Sequence, residues 1–405
     1  MKSLIPTIKR MNVGIYFPDL KPSAGGGFTF EDNILQALLT CQTHHNFFIF
    51  WHGKTSKVPN SNISFIHIGK PKGLQKLKRE TLRLLHQCKL ISTKPGRFAE
   101  TLKQHSIDIV WFPSPAFQDT GGIPYMFTVW DLSHRIHPYF PELSYTWDAR
   151  EAIYSKVIPK ASYLITGNEV GKEDIAYFYR VLPERIKVVP IPISKFPSVT
   201  PIPLTTLQKE YAFRSPYLYC PAMLWPHKNH YRILEALKIL KENYNEVFHL
   251  VLTGRDTGNF SYLKEKIKGM GLGHQVSFFG FVDTATKVAL YQNAHATICA
   301  TYIGPSSLPP FEAFSLQCPV ICSRYRGAEC ELKDNALYFN LDNPRELAEC
   351  ILTLYNKPNF KASLVKKALA FFEAHSATNY VDPILTILDE FQAMRNCWGK
   401  DYQEQ

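Results

Sequence analysis

Gly304-Pro305-Ser306-Ser307-Leu308-Pro309-Pro310-Phe311-Glu312-Ala313-Phe314-Ser315-Leu316-Gln317-Cys318-Pro319-Val320-Ile321-Cys322 reads as a loop, a short helix, a tight turn and a buried strand. Pro309 and Pro310 suit the first turn of a helix, where the missing N–H groups have no intrahelical partner to lose. Ser306 or Ser307 can cap that turn. Glu312 then falls about one turn in, near an end whose backbone N–H groups are free. Free N–H groups hold phosphate oxygens and a fixed carboxylate accepts from hydroxyls, so the stretch suits a phosphorylated sugar. A core helix carrying a solvated Glu is the plainer alternative.

Outward from this stretch, both halves of the chain alternate apolar runs with helical patterns. Val13–Phe17, Phe47–Trp51, Ile63–Ile66, Ile107–Phe112, Tyr125–Val129, Ser162–Thr166 and Arg185–Pro190 fill the first half. Tyr217–Cys220, Leu250–Gly254, Val276–Val282, Ala296–Cys299 and Ala336–Phe339 join the opening stretch in the second. Near-continuous apolar runs mark strands buried on both faces of a parallel sheet. The expected fold class is α/β.

At 405 residues a single core is excluded, and two domains are the natural split. Pro190, Pro192, Pro197, Pro201 and Pro203 stiffen the junction. The expected boundaries are 1–198, 199–378 and a final helical segment 379–405. No apolar run is long enough to span a bilayer, and the first residues lack the apolar core of a secretory signal. The nine cysteines show neither a Cys-x-x-Cys pair nor zinc spacing, which fits a reduced cytosol. The net charge of +11 allows nucleic acid, an anionic membrane or anionic substrates, but no nucleic-acid motif is visible. Lys70 to Arg97 concentrates Lys and Arg on an apparent amphipathic helix, either a solvated face or a docking surface for anionic lipid.

Three further places carry polar groups where an open α/β sheet puts its ligands. Gly25-Gly26-Gly27 follows the first strand and precedes a helix from about Thr29. Trp130-Asp131-Leu132-Ser133-His134-Arg135-Ile136-His137 follows the fifth. Pro226-His227-Lys228-Asn229 opens a helix after Tyr217–Cys220. A cation at a helix N-terminus is unfavourable by ~0.3–1 kcal/mol unless an anion binds there.

These residues together resemble retaining, nucleotide-sugar-dependent glycosyltransferases of family four. Leu308-Pro309-Pro310-Phe311-Glu312-Ala313 matches the second half of that family's Glu-x7-Glu signature, and Cys318-Pro319-Val320-Ile321 matches the strand after it. Gly304 stands where the first Glu belongs, and Met223 where an Arg belongs. The resemblance implies the GT-B fold: two Rossmann-like domains facing each other across a cleft, with the last helix crossing back to the first domain. It implies transfer from a UDP- or GDP-sugar to a glycan or lipid-linked acceptor in bacterial surface polysaccharide synthesis. No cofactor or metal is implied. The enzyme is expected in the cytoplasm or on the inner face of the plasma membrane, touching anionic lipid through residues 70–97.

By the same resemblance Lys228 clamps the diphosphate, with His227 or Arg255 supplying a second cation. Glu312 holds the ribose. Gly26, Gly27, Ser306, Ser307 and Leu308 complete the donor site. His134 and Asp131 serve the reacting sugar, and Arg135 and His137 the acceptor. A nucleotide-sugar 2-epimerase of the same fold and a non-catalytic sugar-nucleotide or glycan binder are the alternatives; no lysine-bearing pyridoxal phosphate motif supports a phosphorylase.

Overall fold

The computed structural model describes residues 10–18, 26–52, 62–68, 96–193, 196, 199–304, 308–374 and 380–399. Ser306, Ser307 and nearly all of the basic run 70–97 lie outside them.

The first half supplies β1 (Asn12–Tyr16), β2 (Asn46–Trp51), β3 (Ile63–His67), β4 (Ile109–Phe112), β5 (Tyr125–Thr128), β6 (Tyr163–Thr166) and β7 (Ile186–Val188). They form one sheet in the order β3-β2-β1-β4-β5-β6-β7. The second half supplies β8 (Tyr217–Pro221), β9 (His249–Thr253), β10 (Val276–Gly280), β11 (Ala296–Cys299), β12 (Val320–Ser323) and β13 (Leu337–Phe339), ordered β10-β9-β8-β11-β12-β13. Every pairing is parallel, for example Ile15 beside Ile49 and Ile298 beside Ile321. Parallel strands covered on both faces are buried throughout and mostly apolar, and β4, β5, β6, β9, β11 and β12 are buried at every residue.

In both sheets the strand order reverses next to the first strand, at β1/β4 and at β8/β11. The crevice outside the carboxyl ends at such a reversal is where ligands sit in open α/β sheets.

The helices of the first half are α1 (Gly26–Thr40), α2 (Arg97–Gln104), α3 (Ser133–Ile136), α4 (Pro141–Val157) and α5 (Glu169–Tyr179). Those of the second are α6 (Leu204–Tyr211), α7 (His230–Tyr244), α8 (Phe260–Gly269), α9 (Thr284–Asn293), α10 (Leu308–Ser315), α11 (Ala328–Leu332), α12 (Pro344–Asn356), α13 (Pro358–Ala374) and α14 (Val381–Arg395). In α7, Ile233, Leu234, Leu237 and Leu240 form the buried stripe that helical spacing dictates.

The chain's last helix leaves the second half. Val381, Ile384, Ile387, Leu388 and Phe391 of α14 pack with Val13, Ile15, Ile109 and Trp111 of the first sheet. Each such side chain contributes about 1.5–3 kcal/mol on burial. Polar contacts flank the seam: Lys187 reaches Glu390 at 2.7 Å, and Arg395 lies 3.3 Å from Asp108.

Several helices were not anticipated, α6 and α8 among them. α6 starts directly after Pro203 and buries only Leu207; α8 buries only Leu263. One buried position gives no helical period to read. The glycine loop is also shorter than expected, because Gly26 and Gly27 already form the first turn of α1.

Candidate functional site

The second-half wall of the cleft starts where β8 ends. The chain turns through Ala222–Trp225 and a single 3-10 turn, Pro226–Lys228, into α7. The neighbouring loop is locked to this one. Gly254 has φ +125°, and a Cβ there would come within 2.5 Å of the Ala222 carbonyl oxygen, so only glycine fits. Leu224 N–H then donates to the Arg255 carbonyl at 3.0 Å. Arg255 is thereby held beside the loop that carries Met223.

Lys228 is partly buried and has no ion-pair partner among the described residues. Burial pulls its pKa below the ordinary lysine value, while Cys299, Cys220 and Asp131 act in the opposite direction. Cys220 and Cys299 belong to β8 and β11, so the ammonium sits over the strand reversal of the second sheet.

His227 is engaged across the cleft. Its backbone N–H donates to Glu142 Oε1 at 3.1 Å, and its Nδ1 lies 2.5 Å from the same oxygen. A carboxylate oxygen can only accept, so Nδ1 carries the proton. Burial and the adjacent Lys228 hold this imidazole below its ordinary pKa. The other oxygen, Glu142 Oε2, is buried and has no partner among the described residues. An acidic side chain of the first half thus occupies an N–H group next to Lys228.

α10 opens with Leu308-Pro309-Pro310 and carries Glu312 within its second turn. Lys287 Nζ lies 2.6 Å from Glu312 Oε1, and Tyr291 OH donates to Oε2 at 2.7 Å. Both partners come from α9, so the carboxylate is fixed before any ligand arrives. At Gly304 a Cβ would meet the Tyr325 ring at 3.1 Å. Tyr325 is itself buried, with its hydroxyl donating to Glu331 at 3.2 Å. A side chain at 304 therefore requires Tyr325 to move.

Across the cleft, a Cβ on Gly26 would lie 3.5 Å from Leu308. The N-termini of α1 and α10 meet there, bringing Gly26 to the start of α10.

Asp131 caps the turn after β5. Its Oδ1 accepts from Ser133 N–H at 2.8 Å and from Arg150 at 2.9 Å. Burial pushes its pKa up, but Arg150 and the Ser133 contacts outweigh it, and the net shift is downward. His134 is fully buried, with Nε2 2.6 Å from Glu151. Arg135 donates through Nε to the same carboxylate at 2.8 Å and also pairs through Nη2, over the Tyr179 ring. Tyr179 OH completes the cluster at 2.7 Å from Glu151. As placed, His134 and Arg135 brace the first half through Glu151. His137 is nearer the cleft, with Nδ1 2.6 Å from Tyr139 OH and its ring against Phe140. Phe140 in turn packs on Tyr302 of the second half, at 5.3 Å between centroids.

Sequence patterns passed over Glu142, Arg150 and Glu31. Pro141-Glu142 is a helix-start signal, but nothing local couples it to position 227. Glu31, on α1, is buried beside the reversal of the first sheet, with Oε1 unpartnered among the described residues. Burial raises its pKa to about 7 against a weaker opposing contact from Ser114.

The assembled wall offers a half-buried cation, backbone N–H groups and a preset carboxylate along one edge. That set can hold a diphosphate at one end and hydroxyls at the other.

Comparison with known proteins agrees with this frame. Residues 208–371 match the family model described as Glycosyl transferases group 1. The chain is 24% identical over 231 residues to the O-antigen chain mannosyltransferase RfbU of Salmonella typhimurium, covering 56% of this chain and 60% of that protein. A glycosyltransferase from Rickettsia africae superposes with TM-score 0.66 at 18% identity, over 94% of this chain and 98% of its own. HepE of Anabaena, solved with UDP and glucose, gives TM-score 0.67 at 15% identity, over 94% and 100%. At these identities the structural likeness speaks for the fold. No helix among the described residues is long and apolar enough to cross a membrane.

Proposed function

We propose that this GT-B chain, whose residues 208–371 are a group 1 glycosyltransferase domain, moves a sugar from a nucleotide diphosphate to a hydroxyl of a glycan or lipid-linked saccharide. The observation that carries the proposal is Lys228: a partly buried cation in the turn before α7 with no ion pair among the described residues. A leaving diphosphate supplies the anion. Lys228 and Arg255 neutralise charge as the bond from the anomeric carbon to the diphosphate oxygen breaks and the bond to the acceptor oxygen forms. Glu312 accepts from the ribose hydroxyls, positioning the donor. Retention of anomeric configuration and independence from a divalent metal belong to the proposal.

HepE binding UDP and glucose supports a nucleotide-sugar donor, and RfbU's naming supports a surface-polysaccharide acceptor. Contact of residues 70–97 with an anionic membrane rests on sequence alone.

Calorimetry with UDP and GDP in EDTA-containing buffer tests the central contact. The wild-type chain should bind one of the two, and Lys228→Ala should weaken binding by at least ~1.5 kcal/mol, the scale of a charged hydrogen bond. Equal affinity would remove Lys228 from the clamp; loss of wild-type binding in EDTA would contradict the metal-free account.

One observation favours a second reading. Tyr325 fills the space in front of Gly304, where the family signature has a carboxylate. A chain that only binds sugar nucleotides would bind donor and never consume it, with or without acceptor.

A further inference from the structure

Away from the cleft, three side chains bring metal-type donor atoms together. His44 and His45 lie in the turn between α1 and β2, and Asp389 lies on α14. His45 directly precedes β2, at the amino edge of the first sheet, whereas the cleft lies at the carboxyl edge. Both Nε2 atoms and an Asp389 oxygen fall within 4.8 Å of one another. His45 Nε2 is 3.1 Å and His44 Nε2 3.4 Å from Asp389 Oδ1. In a tetrahedral zinc site with bonds of about 2.0–2.1 Å, neighbouring ligand atoms are about 3.3 Å apart. We propose that His44, His45 and Asp389 bind a transition-metal dication of the zinc type, which ties the chain's last helix to the first sheet.

The ligand set, the geometry and the access all suit such an ion. Two imidazoles and one carboxylate favour zinc-like metals over magnesium or calcium, which take oxygen ligands. Gln392, one turn along α14, brings a further oxygen, Oε1, within 3.5 Å of His44 Nε2. His45 is fully buried, but the side chains of His44 and Asp389 are 39% and 54% exposed, which opens a path for a hydrated ion. Each imidazole carries its proton on Nδ1 and gives its Nε2 lone pair to the metal; no proton is lost from a neutral ring. The His45 Nδ1 atom has no partner among the described residues and is able to hold that proton.

The test uses the full-length chain with any affinity tag removed and with metal stripped by a chelator that is then dialysed away. Zinc is titrated in competition with a chromophoric chelator. Uptake of about one zinc per chain, with micromolar or tighter affinity, is expected on the zinc-site geometry. Zinc should raise the melting temperature and magnesium should not. His44→Ala and Asp389→Asn, chosen because these side chains are partly exposed and the variants should fold, should each weaken zinc binding at least tenfold and abolish the melting shift. Circular dichroism confirms folding. Absence of stoichiometric uptake, or uptake unchanged in both variants, would overturn the proposal.

Discussion

Glu142 makes the sharpest residue-scale claim. Its carboxylate holds the His227 backbone N–H and ring nitrogen, beside Lys228. A diphosphate seated on Lys228 meets that negative charge. Glu142→Gln keeps the shape and removes the charge, so nucleotide diphosphate affinity should rise by about twofold to tenfold, or ~0.4–1.4 kcal/mol. Calorimetry reads this directly, and weaker binding in the variant would show that Glu142 helps to build the site.

Glu31 carries a pH signature. Its folded pKa is raised from 4.5 to about 7, chiefly by burial. A raised carboxyl pKa means the folded chain prefers the protonated form. The associated stability is complete below about pH 4.5 and is lost as pH rises through 7. Glu31→Gln should therefore stabilise the protein at pH 8 by up to about 3 kcal/mol, and at pH 5 by only about 1 kcal/mol. Chemical denaturation at the two pH values checks it; an equal effect at both would mean the side chain is ionised and solvated.

At the scale of elements, legibility followed pattern length. The strands were readable because a strand buried on both faces has no solvent-facing position and reads as an apolar run, as β4 shows. α7 was readable from four apolar residues at helical spacing. α6 and α8 bury one leucine each, and no local signal separates them from loop. The opening stretch was read as loop, helix and strand, and α10 and β12 stand there. The helix that crosses back is the element on which the first half leans. Leu388 on α14 is fully buried against the first sheet. Leu388→Ala should cost 2–5 kcal/mol, roughly the range for a leucine cavity. Denaturation followed by tryptophan fluorescence would report it, since Trp111 belongs to the same core. A loss below about 1 kcal/mol would place α14 only loosely on that sheet.

At the scale of the molecule, two sheets of the same design face one cleft. Contacts between the halves include Glu142 to His227, Gly26 to Leu308, Phe140 to Tyr302, and Arg326 to Glu173 and Asp174. None was readable from sequence, because each joins residues far apart in the chain whose types are ordinary on a surface. The places of Lys228 just before α7 and of Glu312 early in α10 were legible because helix-start chemistry is local: prolines and a charge near the first turn. The partners of His134 and Arg135 were not legible, for the converse reason. A polar cluster after a strand looks the same whether it faces a ligand or a carboxylate of its own domain, as these two face Glu151.

The central claim is that the edge between Lys228 and Glu312 seats a nucleotide diphosphate. A crystal structure of the chain with UDP or GDP tests it most directly. The account predicts diphosphate oxygens within hydrogen-bond distance of Lys228 Nζ and a ribose hydroxyl on Glu312. A nucleotide bound elsewhere, with Lys228 facing only water, would contradict it.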